Sequence, residues 1–149
     1  MSEKTFGSVL DALKYPIWQA PTASLAGPEL AAAVSQAGGV GSMGLTWTPP
    51  EAAAENVRYV LSHTENPFQV NYALSFPPES LDAALEAGVP IVTFSWGDPE
   101  PHLPKVRKAG AMVGIQVTSV AGVRRAIDLG ADFLVCQGLE AGGHVQSTT

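Results

Sequence analysis

Three glycines, Gly88, Gly110 and Gly130, stand at nearly even intervals, each just after a helix-forming stretch and two or three residues before an apolar run. The stretches Glu79 to Ala87, Leu103 to Ala109 and Ser119 to Leu129 read as helices, with Thr118 or Ser119 as the cap of the last. The runs that follow, Ile91 to Phe94, Met112 to Val117 and Phe133 to Cys136, read as short buried strands. A unit of helix, left-handed glycine and buried strand, repeated without long loops, leaves few options. Its strands must lie parallel, because each helix carries the chain back to the start of the next strand.

The first half extends the pattern. After a polar lead, Tyr15 to Ala20 reads as a first strand ending at Pro21-Thr22. Gly27-Pro28-Glu29 opens a helix carrying Leu30, Val34 and Ala37, and Gly38-Gly39 ends it. Val40 to Leu45 is a glycine-rich second strand. Thr48-Pro49-Pro50-Glu51 fits a capping box ahead of a helix with Val57, Val60 and Leu61 on its apolar face. Phe68 to Leu74 is the third strand, which makes six in all.

Two parallel architectures compete. A doubly wound sheet is complete at six strands, whereas a (β/α)₈ barrel needs eight and about 250 residues. A nucleotide-binding doubly wound fold places Gly-x-Gly-x-x-Gly after its first strand, and here Ala-Pro-Thr-Ala-Ser stands there. Gly39-Val-Gly41-Ser-Met-Gly44 has the bare spacing but falls inside the second strand. Polar and glycine residues gather instead at the ends of several strands: Gln19, Asn71, Ser95, Gln116, Gln137 and His144. Function spread over many strand ends is the barrel habit. The expectation is one α/β domain over residues 1–149: a TIM-type (β/α)₈ barrel truncated after about six strands, its last two βα units absent.

Composition excludes several functions. With 46% hydrophobic and 15% charged residues the chain must hide much of its surface, which argues against disorder. A net charge of −6 with no basic run gives nothing to neutralise nucleic-acid phosphates. One cysteine allows no internal disulfide and suits a reducing compartment. Neither a signal peptide nor an apolar run long enough for a membrane is visible, so a cytoplasmic protein is expected. No His and Cys cluster has zinc spacing, and no metal site is expected.

The chemistry concentrates after the sixth strand, in Gln137-Gly-Leu-Glu-Ala-Gly-Gly-His144. A histidine near a chain end is most often a surface residue. This one follows Ala141-Gly142-Gly143, where main-chain N–H groups can approach a ligand, and an imidazole exchanges protons near neutrality. Together these suggest a general base beside a bound anion or cofactor. Asn71 ends a strand with a carboxamide that can donate and accept, which suits a planar heterocycle. Glu140 could hold the glycine loop or remain solvated. Asp98 reads as a cap and Cys136 as a small buried hydrophobe. His63 and His102 receive no role. Trp18 and Trp47 read as packing residues, and Trp96 sits where a pocket wall would be.

These residues resemble one known family. The order Ile17-Trp-Gln-Ala-Pro21, Ala33-Val-Ser-Gln-Ala-Gly-Gly-Val-Gly41, Pro67-Phe-Gln-Val-Asn71, Gly88-Val-Pro-Ile-Val92, Gly130-Ala-Asp132 and Gln137-Gly-Leu-Glu-Ala-Gly-Gly-His144 is similar to the nitronate monooxygenases. The same family was formerly called the 2-nitropropane dioxygenases, and its members are FMN-dependent (β/α)₈ barrels. The resemblance implies FMN as cofactor and His144 as the catalytic residue, removing the α-proton of a nitroalkane or orienting a nitronate. It implies flavin contacts at Ala20, Pro21, Asn71, Gln137, Gly142 and Gly143, and the same cofactor-binding set takes in Thr22 and Gln116. The reaction implied is oxidation with O₂ to a carbonyl compound and nitrite. Thr22 stands where the family usually has Met, which alters the wall beside the flavin. The later βα units that hold the FMN phosphate in the family do not appear. A fragment of a complete enzyme is the favoured expectation. The others are a natural truncation or self-association that covers the open barrel edges. The runner-up activity is that of the FMN-dependent enoyl reductase of fatty-acid synthesis. A non-catalytic interaction module is the third reading.

Overall fold

The computed structural model describes residues 5–147, and the ends, including the last two residues of the tail Val145 to Thr149, lie outside the described residues. The chain runs α1 (Phe6–Ala12), α2 (Pro28–Ala37), β1 (Gly41–Gly44), α3 (Pro50–His63), β2 (Phe68–Ala73), α4 (Leu81–Glu86), β3 (Ile91–Ser95), α5 (Leu103–Lys108), β4 (Met112–Val117), α6 (Val120–Asp128) and β5 (Phe133–Cys136). The strands are all parallel and lie in the order of the sequence, as one five-stranded sheet.

In a parallel sheet, residues in register point to the same face. Met43, Val70, Val92 and Val113 form one such row, and they pack in a single core with residues of α2 to α6, among them Ala31, Val57, Ala84, Val106 and Ala126. All five crossover helices therefore cover one face. A doubly wound sheet would need helices on both, so the one-sided arrangement is that of a barrel wall. The opposite face carries the row Gly44, Asn71, Thr93, Gly114 and Phe133. At its lower end Ile91, Met112 and Phe133 form a second, smaller core closed by Phe6, Val9 and Trp18.

Gly38, Gly88, Gly110 and Gly130 each have positive φ, between 73° and 101°, so the repeated helix stop is the left-handed turn that the glycine spacing implied. Ser119 is the cap of α6, its side chain accepting from the Gly122 N–H.

Four expectations need correction. The first strand, Tyr15 to Ala20, is reduced to one bridge between Trp18 and Val40. Pro16 and Pro21 donate no hydrogen bond, which leaves only the alternating bonds from Tyr15 to Gly38, Val40 to Ile17 and Gln19 to Val40. The sheet thus has five strands and a bridge rather than six strands. The polar lead contains α1, whose cap Thr5 exchanges hydrogen bonds with Ser8. The capping box at Thr48 does not form: α3 starts at Pro50, so its cap position is Pro49, which has no side-chain donor or acceptor. Cys136 is exposed, not buried. It is in register with Val117 on the helix-bearing face, but β5 is an edge strand and no described helix follows to cover it.

No helix among the described residues is long and apolar enough to cross a membrane.

Candidate functional site

The loops leaving the C-terminal ends of the strands form two groups of contacts. The turn at residues 20–26 is tight, with Thr22 N–H donating to the Ala20 carbonyl and Ala23 N–H to that of Pro21, both at 2.9 Å. It rests on the end of β1, where a Cβ at Gly44 would come within 3.2 Å of the Pro21 oxygen and 3.3 Å of Ala23. Glycine there lets Ala20-Pro21-Thr22 settle onto the strand end.

Below this turn the inner face is polar and internally bonded. The Gln19 carboxamide donates to the Ser42 carbonyl (3.1 Å) and accepts from the Ser42 N–H (3.2 Å), continuing the β1 ladder by a side chain. Gln69 donates to Ser42 Oγ at 2.8 Å, while its own Oε1 is buried without a partner, as is the Trp18 indole nitrogen. One level up, Asn71 Nδ2 donates to Thr93 Oγ1 (3.1 Å) and to the Thr93 carbonyl (3.3 Å), and Ser95 Oγ reaches Asn71 Oδ1 at 3.5 Å. Asn71 is thereby fixed in orientation, half-buried and two residues before the end of β2.

A second group forms at the ends of β4 and β5. Gln116 Nε2 donates to Gln137 Oε1 and to Gln146 Oε1, each at 3.2 Å. Gln137 Nε2 donates to the His144 carbonyl (3.1 Å), and the Gln146 N–H donates to Gln137 Oε1 (2.8 Å). The Gln137 carboxamide therefore engages the main chain on both sides of Val145, as a neighbouring strand would. Trp96, at φ 62°, donates its N–H to Gln146 Oε1 at 3.3 Å and so joins the end of β3 to this group.

Within the loop, Gly142, Gly143 and His144 are exposed, and Gly143 has φ 77°. Open space surrounds the Cβ positions of Gly138, Gly142 and Gly143. Glu140 is exposed and holds neither the glycines nor the histidine. Beside the group a cavity of 240 Å³ is lined by Gln116, Thr118, Ser119, Gly122 and Gln146. A larger cleft of 550 Å³ lies along α6, lined by Glu100, Arg124, Arg125 and Asp128, away from the inner face.

The structure thus brings Gln116, Gln137 and the loop to His144 together, sets Ala20, Pro21 and Thr22 over Gly44, and places Asn71 in register with Gly44. Gln146 ties Gln116 and Gln137 to the Trp96 main chain at the end of β3 and had no role in the sequence reading, since a single glutamine in a short tail carries no pattern. Asp98 is not the cap residue of the following helix, whose cap position is Pro99; its Oδ1 accepts from the Glu100 N–H (3.2 Å), two residues on, and from Arg125 Nη2 (3.0 Å). Those two donors hold its carboxyl below the usual carboxylate range. Burial lowers the His102 imidazole from its ordinary value. No group of three or more His, Cys, Asp or Glu that could hold a metal ion occurs among the described residues.

Comparison with known proteins places this geometry. The probable nitronate monooxygenase of Staphylococcus saprophyticus is 29% identical over 170 aligned positions, covering 89% of this chain and 48% of that protein. In Rhodococcus jostii, a (3aS,4S,5R,7aS)-5-hydroxy-7a-methyl-1-oxo-octahydro-1H-indene-4-carboxyl-CoA dehydrogenase is also 29% identical, over 137 positions that cover 89% of this chain and 38% of that protein. The structure of FabK from Thermotoga maritima superposes with a TM-score of 0.86 at 32% identity, covering 95% of this chain and 47% of that one. The chain spans less than half the length of each of these proteins. The sequence model of the nitronate monooxygenase family matches residues 5–84 and 76–149, which together take in almost the whole chain. The chain belongs to the nitronate monooxygenase family.

Proposed function

We propose that this chain supplies the base and the ring-facing wall of an FMN-dependent oxidoreductase that converts alkyl nitronates or nitroalkanes, with O₂, to a carbonyl compound and nitrite. The observation that carries the reading is that the 20–22 turn, Asn71, Gln116, Gln137 and the open glycine loop all lie toward the C-terminal ends of the parallel strands, in a chain matched to this family.

The residues present fit the flavin ring. The carboxamides of Asn71, Gln116 and Gln137 are of the type that can donate to and accept from a ring with carbonyl and imine groups. Main chain bare of side chains at Gly142 and Gly143 can approach closely. They do not by themselves hold its phosphate: none of the loops leaving the strand ends carries a lysine or arginine, and Arg125 is engaged by Asp98 and Glu100. In the general (β/α)₈ arrangement a phosphate is held by the loops after the seventh and eighth strands.

When bound, FMN supplies the electron transfer between substrate and oxygen. In this chain, His144 takes the proton from the carbon bearing the nitro group, leaving the nitronate. Gln137 holds the main chain of the His144 loop, and the 20–22 turn and Asn71 would contact the ring when it is bound. Thr22 presents a short polar side chain there. The test is direct: the full-length protein is purified, its flavin absorbance recorded, and nitrite release measured with propyl-1-nitronate. Bound flavin and stoichiometric nitrite support the proposal; a flavin-loaded protein that releases no nitrite overturns it.

A second reading is oxidoreduction of an acyl thioester, as in the FMN-dependent enoyl reductase of fatty-acid synthesis. Alignment lengths favour giving it weight. The nitronate monooxygenase relative spans 170 positions, more than this chain's 149 residues, whereas the carboxyl-CoA dehydrogenase aligns almost residue for residue, over 137. The likeness to FabK fits the same reading. NADH oxidation driven by an enoyl thioester, without nitrite release from nitronates, would establish it.

A further inference from the structure

The loops after β1 and β2 carry two large aromatic side chains that no core absorbs. Trp47 is 65% exposed and Phe76 48% exposed, yet their rings lie against each other, centroids 5.4 Å apart at 66°. Exposed apolar side chains that occur singly need no explanation; two large rings packed edge to face at the rim of a candidate site form a patch with a preferred occupant.

Their supports are rigid. Thr46 Oγ1 accepts from the Ala73 N–H at 2.9 Å, which ties the residue before Trp47 to the end of β2. Ser75 Oγ donates to the Trp96 carbonyl at 3.0 Å, which ties the residue before Phe76 to the end of β3. The Phe76 N–H donates to the Ala73 carbonyl at 3.2 Å and the Leu45 N–H to that of Asn71 at 3.0 Å. Both rings therefore stand on fixed main chain beside Asn71, and little entropy is lost when something packs on them.

An independent observation says why they are bare. The family match breaks into two pieces that overlap at residues 76–84, from Phe76 into the first turn of α4. The nitronate monooxygenase of S. saprophyticus needs 170 positions to span what this chain covers, so it carries tens of residues without a counterpart here; the R. jostii dehydrogenase does not. The break puts the loss at residues 76–84, where the loop that carries Phe76 runs into α4. The chain is thus shorter beside Phe76 than the S. saprophyticus protein, and the two rings stand exposed there.

We propose that Trp47 and Phe76 form an apolar subsite that determines specificity, receiving the hydrocarbon part of a bulky substrate, an acyl chain, whose reacting end lies at the strand ends near Asn71. The inference rests on reading the strand ends as the substrate site. Charge selects the occupant. Residues 45–49 and 74–80 contain no lysine, arginine or histidine and one acid, Glu79, so the rim offers nothing to a phosphate or carboxylate and a large contact area to methylenes.

The test uses the full-length protein carrying its flavin, titrated with butyryl-, octanoyl- and dodecanoyl-pantetheine as unreactive probes. Each methylene moved from water onto the rings should tighten binding by up to about fourfold. The double variant Trp47→Ala, Phe76→Ala should lose at least about tenfold more affinity for the dodecanoyl than for the butyryl probe. Affinity independent of chain length overturns the proposal. So does a double variant that lowers the melting temperature or changes the oligomeric mass with the chain-length dependence intact, since the rings would then be covered by the rest of the chain or by a second copy. Nitrite release from propyl-1-nitronate is assayed on the same preparation. Its absence, with chain-length dependence retained, rejects the nitronate reading and keeps the subsite. Its presence with flat affinities does the reverse.

Discussion

The ring of Phe6 stacks on that of Phe133, centroids 4.7 Å apart and planes 10° from parallel, which joins the first helix to the last strand. Trp18 closes on the same ring at 5.1 Å. The contact requires the sheet to curl, because Trp18 sits beside β1 and Phe133 lies on β5, at the opposite edge. α1 fills the inner face at its lower end, below the site. Phe133 is 8% exposed and Phe6 only half-buried. Phe133→Ala should therefore cost about 3–5 kcal/mol and Phe6→Ala clearly less. Denaturant unfolding measures both, and a larger loss at Phe6 would contradict this packing.

The same ring explains a glycine. A Cβ at Gly114 would overlap the Phe133 ring and approach Thr93 Cγ2 to 2.7 Å. At Gly41 it would meet the main chain of Ala31 in α2. Gly114→Ala should cost about 1–3 kcal/mol, since a ring can shift, and Gly41→Ala at least as much, since main chain must move. Gly138→Ala, with open space around it, should stay within about 0.5 kcal/mol. Thermal melts of the three variants order them; equal effects would show that the clashes relax freely.

Much of this fold is legible because its turns are chemical. The stops at Gly38, Gly88, Gly110 and Gly130 announce themselves, since a left-handed helix end strongly favours glycine. The first strand and α1 are not legible for opposite reasons. Tyr15 to Ala20 has strand-like residues, but its flanking prolines remove the donors a ladder needs. Phe6 and Val9 form an apolar face too short to show a period, and the Thr5 and Ser8 cap lacks the usual acid. Cys136 shows a different limit: alternation assigns a face but cannot say whether another layer covers it. At the site, Asn71 and Gln137 stand out by position at strand ends. Gln146 does not, because its importance comes from three contacts distant in sequence, to Gln116, Gln137 and Trp96.

Tyr72 gives a pH signature. Burial pushes its phenol from about 10 up to about 12, an effect only partly offset by its hydrogen bond with Ser80. The folded state keeps the proton longer than the unfolded chain does. Below pH 10 both states are neutral and stability is unaffected; between pH 10 and pH 12 the unfolded chain ionises alone and stability falls, by on the order of 2–3 kcal/mol in total. Tyr72→Phe should be less stable near neutrality, having lost the Ser80 contact, and should lose less on going to pH 12. Parallel alkaline unfolding curves for the two proteins would refute the assignment.

The proposed base makes a sharper demand. His144→Ala in the full-length enzyme should lower turnover of a neutral nitroalkane by about 10²- to 10⁴-fold. Turnover of the preformed nitronate should fall less, because its proton is already gone. Flavin content should not change, since the imidazole is exposed and makes no structural contact among the described residues. Equal losses on both substrates would mean that His144 orients rather than deprotonates.

Gln137 tests how the loop is held. Its Nε2 donates to the His144 carbonyl and its Oε1 accepts from the Gln146 N–H, so one carboxamide sets the main chain on both sides of Val145. Gln137→Glu keeps the shape and the acceptor for Gln146 but turns a second acceptor toward the His144 carbonyl, placing oxygen against oxygen. An unpaired or repelling polar contact of this kind costs about 1–3 kcal/mol where it is shielded from water. Gln137 is half-buried and the loop can move, so the cost should appear as displacement of the loop rather than unfolding. The melting temperature should change little, while turnover of the nitroalkane falls by about tenfold or more through a mispositioned His144. In the double variant Gln137→Glu, His144→Ala the effects should not add, because the loop then carries no base to misplace. Fully additive losses would separate Gln137 from His144 and return it to the role of a cofactor ligand.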